Sequence, residues 1–401
     1  MSHAYFPHDF AAAQGWFTTQ GLPTVQRYYP DARLDQYPLP YAPELTVDAI
    51  TAVPPHPHTV YILTTGLHGA EGFVGAAVMR LFINQILPQL DHRTTGLLLV
   101  QPLNPWGMAQ GRRVNGHNVD LNRNFFLPHA PDRYAATINP DYDRLLGLLN
   151  PSRPVKNVAW ETAVFSLNVT RTLITMGAEG LRAGTLLGQY RQPQGIYYGG
   201  LEPEAETELI SRLLAAQFDR YAKIVLLDIH SGYGPRYQMS LVTSPREPAT
   251  AAELAERLAY PLVVKTVPGE FYAIQGDMVD FAYQLAATAY PEKEFWGAAF
   301  EFGTLGRSLW AGLRSLLALV LENQLHWHGG ATAARPAVAR RFQALFYPRE
   351  ARWQAKALGD AGQAFTGILS ANRNDYPSRR LSLSKPTPPS TGSDGGRSGY
   401  G

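Results

Sequence analysis

Four short runs of almost unbroken apolar residues constrain this chain more than any other feature. They are Thr59–Thr65 (TVYILTT), 97–102 (LLLVQP), 223–229 (KIVLLDI) and 298–302 (AAFEF). A strand with one face in water alternates apolar and polar side chains, so a strand without alternation must be covered on both faces. Stretches with helical patterning lie between these runs, at 71–86, 204–220 and 309–325. Buried strands separated by helices predict an α/β fold whose central sheet is largely parallel and sandwiched between helices. Sheets of this kind bind ligands beyond the carboxyl ends of their strands, which directs attention to the residues that follow each run.

With 401 residues, 45% of them hydrophobic and 17% charged, the chain has a globular composition and enough length for a large core. It contains no cysteine, which excludes a disulfide scaffold, a thiolate metal site and a cysteine nucleophile. Any metal site must be built from His, Asp and Glu. The first ten residues (MSHAYFPHDF) show neither a basic stretch nor an apolar one, and no run of about 18 apolar residues occurs. No leader and no membrane contact are therefore expected, and the expected location is cytoplasmic. The formal net charge of +2 is unevenly placed: residues 371–401 carry five Lys or Arg against two Asp, which leaves the remainder at −1. A nearly neutral body lacks the clustered basic face that nucleic acid requires. Residues 381–401 are mostly Ser, Thr, Gly and Pro, so 371–401 is expected to be a disordered tail behind a folded body of about 5–370. Residues 127–200, rich in Pro, Tyr and Asn, break the strand–helix rhythm and are expected to form an insertion beside the site, with one helix near 160–176.

Four clusters carry potential chemistry. The first is His68-Gly69-Ala70-Glu71, two potential zinc ligands at the turn after the first run. The second is Asp228-Ile229-His230-Ser231-Gly232, where His230 ends the third run. A further neutral nitrogen there would complete a set of two His and one carboxylate, leaving a fourth position for water, as in catalytic zinc sites. The third is the polar stretch Asn118-Val119-Asp120-Leu121-Asn122-Arg123-Asn124-Phe125, preceded by Arg112-Arg113. A guanidinium there could hold a substrate carboxylate, or the stretch could be a capping and ion-pair network. The fourth is Phe300-Glu301-Phe302, where a carboxylate between two aromatics in a buried strand suits a general base. Four other His pairings compete with the first: His117 with Asp120, His129 with Asp132, His56 with His58, and His326 with His328. A serine hydrolase is disfavoured, because no G-x-S-x-G turn occurs.

Taken in order, HxxE, Asn104-Pro105-Trp106-Gly107, the Arg pair, NVDLNRNF, DIHSG and a late-strand Glu resemble the M14 zinc carboxypeptidase superfamily over about residues 5–350. NVDLNRNF, GQY at 188–190 with PQGIYYGG at 193–200, and HSGYGP look closest to its DUF2817 branch. The resemblance implies a single three-layer α/β/α domain with a mixed, mostly parallel sheet. It also implies one zinc ion per chain held by His68, Glu71 and His230. Glu71 and His230 stand 159 residues apart, a longer gap than in the digestive carboxypeptidases, and the insertion would account for it. Glu301 would be the general base and acid. Arg113 would stabilise the oxyanion, with its neighbour Arg112 as the alternative. Asn122 and Arg123 would grip the substrate carboxylate. The family's substrate-capping tyrosine has no clear counterpart, Tyr272 and Tyr283 both being placed for it. The implied activity is hydrolysis of a peptide or amide bond next to a free carboxylate. The substrate would be a small peptide, a cell-wall peptide or an N-acyl amino acid, as for the aspartoacylase-type deacylases; a non-catalytic ligand-binding relative is the remaining alternative.

Overall fold

A computed structural model of the chain describes residues 2–127, 139–266 and 275–373. Eight strands form one sheet: β1 (Arg33–Leu39), β2 (Ala42–Ala52), β3 (Thr59–Thr65), β4 (Thr95–Gln101), β5 (Lys223–Gly232), β6 (Met239–Thr243), β7 (Val263–Lys265) and β8 (Glu294–Gly303). Their order is β1-β2-β4-β3-β5-β8-β6-β7. The centre, β4-β3-β5-β8, is parallel throughout. Antiparallel pairings join β2 to β4, β1 to β2 and β6 to β8, while β6 and β7 pair in parallel. The four apolar runs are the four central strands. The flanking strands lack such runs for a physical reason: β1 is a largely solvent-exposed edge carrying Arg33, Asp35, Gln36 and Pro38, and β7 is three residues long.

Among the described residues seven longer helices accompany the sheet: α1 (Gly72–Leu81), α2 (Val158–Leu186), α3 (Ala205–Arg220), α4 (Met278–Ala289), α5 (Leu309–His328), α6 (Arg335–Phe346) and α7 (Ala351–Arg373). Successive strand side chains point to opposite faces. Tyr61, Leu63, Val225, Leu227, Phe300 and Phe302 pack with α1 and α7, where Val78, Phe365 and Ile368 are buried. Val60, Ile62, Ile224 and Leu226 pack instead with α3 and α4, through Ile210, Phe218 and Phe281. Both faces are thus dry, which is why these strands read as unbroken apolar runs.

The stretch 69–89 is the single helical stretch among the described residues long and apolar enough to cross a membrane, and 78% of its apolar window is buried inside the fold. It serves as the core helix against the sheet. The helix expected near 160–176 is longer, spanning Val158–Leu186 with a break at Gly177. It packs with α5 and α6 through Phe165, Val169 and Leu317. At the other end, α7 continues to Arg373, past the expected start of the tail; residues 374–401 lie outside the described residues.

Candidate metal centre

The end of β3 delivers the first two ligands. His68 follows the strand and leads into a single tight turn, Gly69–Glu71, which runs into α1. That turn is pressed against the chain at Gly107: a Cβ at Gly69 would lie 2.1 Å from the Gly107 carbonyl carbon, so only glycine permits the approach. The backbone of Gly69 and Ala70 donates to the Arg113 and Arg112 carbonyls at 3.1 and 2.8 Å. Those bonds tie the segment after β4 to the turn and carry Arg113 to Glu71. One strand across, β5 places His230 near its carboxyl end, and β8 sets Glu301 directly opposite His230 in the parallel register.

His68, Glu71 and His230 converge, with one potential ligand atom from each lying within 4.8 Å of the others. The Nδ1 atoms of both imidazoles face Glu71, at 2.8 Å (His68 to Oε1) and 3.1 Å (His230 to Oε2). Their Nε2 atoms point outward to buried carboxylates: His68 to Asp120 Oδ1 at 3.0 Å and His230 to Asp228 Oδ2 at 2.5 Å. Asp228 is itself fixed by the Thr64 hydroxyl at 2.6 Å. A carboxylate behind each imidazole orients the ring and leaves the inner nitrogen for a metal, the usual outer shell of a histidine-bound ion. Asp120 and Asp228 lie inside the NVDLNRNF and DIHSG motifs, which by themselves assign neither a role. One signal was present: Asp228 and His230 are two apart on a strand and share a face.

Burial pushes the Glu71 carboxyl up, but His68 and His230 beside it outweigh that and hold it well below the ordinary carboxylate range. Burial likewise opposes ionisation of Asp120, and Arg113, Arg123 and His68 outweigh it, keeping the group ionised. His230 is driven the other way: burial disfavours its charge, yet Asp228 lifts its proton affinity well above that of an ordinary histidine. The same surroundings would favour a metal cation in place of that proton. Glu301 rises well above the ordinary carboxylate range through burial first and the Glu71 charge second, while its Oε1 accepts from the Tyr233 backbone N–H at 3.0 Å.

The two adjacent arginines part company. Arg113 bonds Glu71 Oε1 and Asp120 Oδ2, both at 3.2 Å. Arg112 turns away to Glu322 Oε1 at 2.7 Å and to Asn118 and Asn323. Arg113 is therefore the arginine at the cluster. Arg123 is buried, 1% exposed, and donates to the Asn122 carbonyl at 3.0 Å. Asn122 spends its side chain on the start of α4: its oxygen accepts from Met278 N–H at 3.0 Å, and its nitrogen donates to Asp277 at 2.9 Å. Its amide thus braces a helix terminus. Tyr283 lies in the core, bonded to Glu247 at 2.7 Å and to Thr243, away from the cluster. Tyr272 lies outside the described residues. Of the competing histidines, His117 pairs with Glu204, His56 and His58 are exposed, and His129 lies outside the described residues.

A two-histidine, one-carboxylate cluster at the carboxyl end of a mixed sheet, with a second carboxylate, Glu301, on the next strand, defines the class of site: a candidate metal centre on an α/β scaffold. The chain belongs to the DUF2817 family (protein of unknown function), which matches residues 30–360. No curated protein matches it. Among solved structures, it is similar to a carboxypeptidase A from Helicoverpa armigera (13% identity, TM-score 0.43, covering 84% of this chain and 74% of that one). It is also similar to thrombin-activatable fibrinolysis inhibitor (12%, TM-score 0.46, 92% and 76%). A third is the murein-tripeptide amidase of Escherichia coli O157 (16%, TM-score 0.34, 74% and 93%).

Proposed function

We propose that the chain is a zinc-dependent hydrolase that cleaves a peptide or amide bond next to a free carboxylate. The observation that carries this reading is the convergence of His68, Glu71 and His230 within 4.8 Å, each imidazole backed by its own buried aspartate. Two imidazole nitrogens and one carboxylate suit zinc, and three protein ligands with a position to spare mark a catalytic rather than a structural site. When bound, such an ion supplies Lewis acidity and a water of pKa near 7.

The remaining steps belong to the protein. Glu301 accepts the proton of the attacking water and returns it to the leaving nitrogen, and its raised proton affinity suits both halves of that exchange. Arg113 meets the negative charge that grows on the carbonyl oxygen. Arg123 supplies positive charge for the substrate's carboxylate, and Asn122, braced against α4, holds that segment in place. A small peptide and an N-acyl amino acid both present this carboxylate, so both belong to the proposed substrate class. The reading is tested by Glu301→Gln, which keeps the ligands and removes the base. The expected outcome is unchanged zinc content with turnover of C-terminal peptides and N-acyl amino acids reduced by about 10²–10⁴-fold. Turnover within a few-fold of the wild type would dismiss Glu301 as the base.

A further inference from the structure

Beside the metal turn lies an open cleft of about 740 Å³ that reaches Ala70 but is lined by none of His68, Glu71, His230 and Glu301. Its walls are α6, the end of α5, the short helix Pro105–Gln110 and residues 8–10 near the start of the chain. Sites that enclose a small molecule have volumes of about 300–1,000 Å³, apolar and aromatic walls, and a few polar groups. Six aromatic rings line this one: Phe10, Phe73, Trp106, Phe342, Phe346 and Tyr347. Several of them are locked to one another. Phe73 stacks on Tyr347, with centroids 5.4 Å apart and planes 14° from parallel. Phe342 meets Phe346 edge-on at 5.0 Å, and the Tyr347 hydroxyl donates to Pro7 O at 3.0 Å. Aromatic surface gathered in one concavity marks a binding site, as side chains exposed singly do not.

The charges around this aromatic surface do not balance. Glu322 is neutralised by Arg112 at 2.7 Å, and Asp9 is spent on capping the helix Phe10–Trp16, accepting from Ala12 N–H at 2.7 Å. His326 adds no charge at neutral pH, because burial and then Arg112 push it down to about 4. Arg335 and Arg340, both exposed on α6 and both lining the cleft, have no ionic partner among the described residues. Two free guanidiniums beside aromatic walls suit a ligand with a ring and an acid group, since a guanidinium matches a carboxylate. We propose that this cleft is a second binding site, one that takes an arylalkyl carboxylate, with the ring against the aromatic walls and the acid at Arg335 and Arg340. The site needs neither the metal nor the hydrolase reading, because it uses none of the groups that reading invokes.

The test titrates 4-phenylbutyrate and its uncharged amide into the full chain by calorimetry. His68→Ala is titrated alongside, so that an acid held at the metal centre is not mistaken for one held in the cleft. Both proteins should bind the acid more tightly than the amide, and the preference should shrink as salt is raised. Ala339 and Ala109 are exposed residues that line the cleft. Ala339→Trp or Ala109→Trp, made in the His68→Ala chain, would fill it and should weaken the acid about tenfold or more with melting temperature unchanged. Arg335→Gln with Arg340→Gln should remove the preference, so that acid and amide bind alike. The assignment would be overturned by an acid that binds neither protein at millimolar concentration, or by binding that disappears in His68→Ala. It would equally be overturned by affinity unchanged within about twofold in both tryptophan variants, or by equal affinity for acid and amide before the arginines are changed.

Discussion

The strand-end cluster and the segment around Tyr197 are positioned by opposite means. His68, Glu71, His230 and Glu301 owe their placement to β3, β5 and β8, whose parallel register sets His230 beside Glu301 without help from any loop. Tyr197 depends instead on hydrogen bonds reaching in from Tyr142, Gln189 and Asp120 across an irregular stretch. Rigid pleated backbone suits groups that must meet a small ion to within a few tenths of an ångström. A loop held by several independent bonds suits groups that must match the shape of a substrate, since it can change without disturbing the ion.

Arg112 and Arg113 offer the sharpest way to break this comparison, because adjacent residues should give unlike phenotypes. Arg113→Ala should lower kcat by about 10²–10³-fold, the usual cost of losing one oxyanion donor, and should also lower the melting temperature, because the buried Glu71 and Asp120 lose a partner. Arg112→Ala should leave kcat within a few-fold but lower the melting temperature, because Glu322 and Asn323 lose their partner on α5. Steady-state kinetics and thermal unfolding on both variants decide it; the reverse pattern would move the catalytic arginine to 112. A smaller effect is expected at the outer carboxylates. Asp120→Asn should weaken zinc affinity by about 10–100-fold, measured by competition with a chelating dye, because His68 loses the acceptor that orients it. Affinity equal to the wild type would mean that Asp120 serves only to anchor Arg113.

Legibility in the sequence followed burial. The four central strands were readable because both their faces are dry, and so were the residues at or just past their carboxyl ends, His68, His230 and Glu301. β1 was not, since an exposed edge strand carries Arg33, Asp35 and Gln36 and imitates a loop. At the site, the choice between Arg112 and Arg113 was open in the sequence, because neighbouring side chains diverge only once Glu322 arrives from 210 residues away. Asn122, which the resemblance places at the substrate carboxylate, is held by Asp277 and Met278, and those partners lie some 155 positions further on. Tyr197 was invisible for the same reason: its placement rests on long-range bonds and on a left-handed backbone that no periodicity announces.

The central claim is that three distant side chains hold one divalent ion, and metal content tests it most directly. Wild-type chain, His68→Ala and His230→Ala would be dialysed against buffer containing trace zinc and then assayed for metal by mass spectrometry. The account predicts one zinc per wild-type chain, removed by chelator together with activity, and little or none in either variant. A wild-type chain that retains no zinc, or variants that retain it as well as the wild type does, would contradict it.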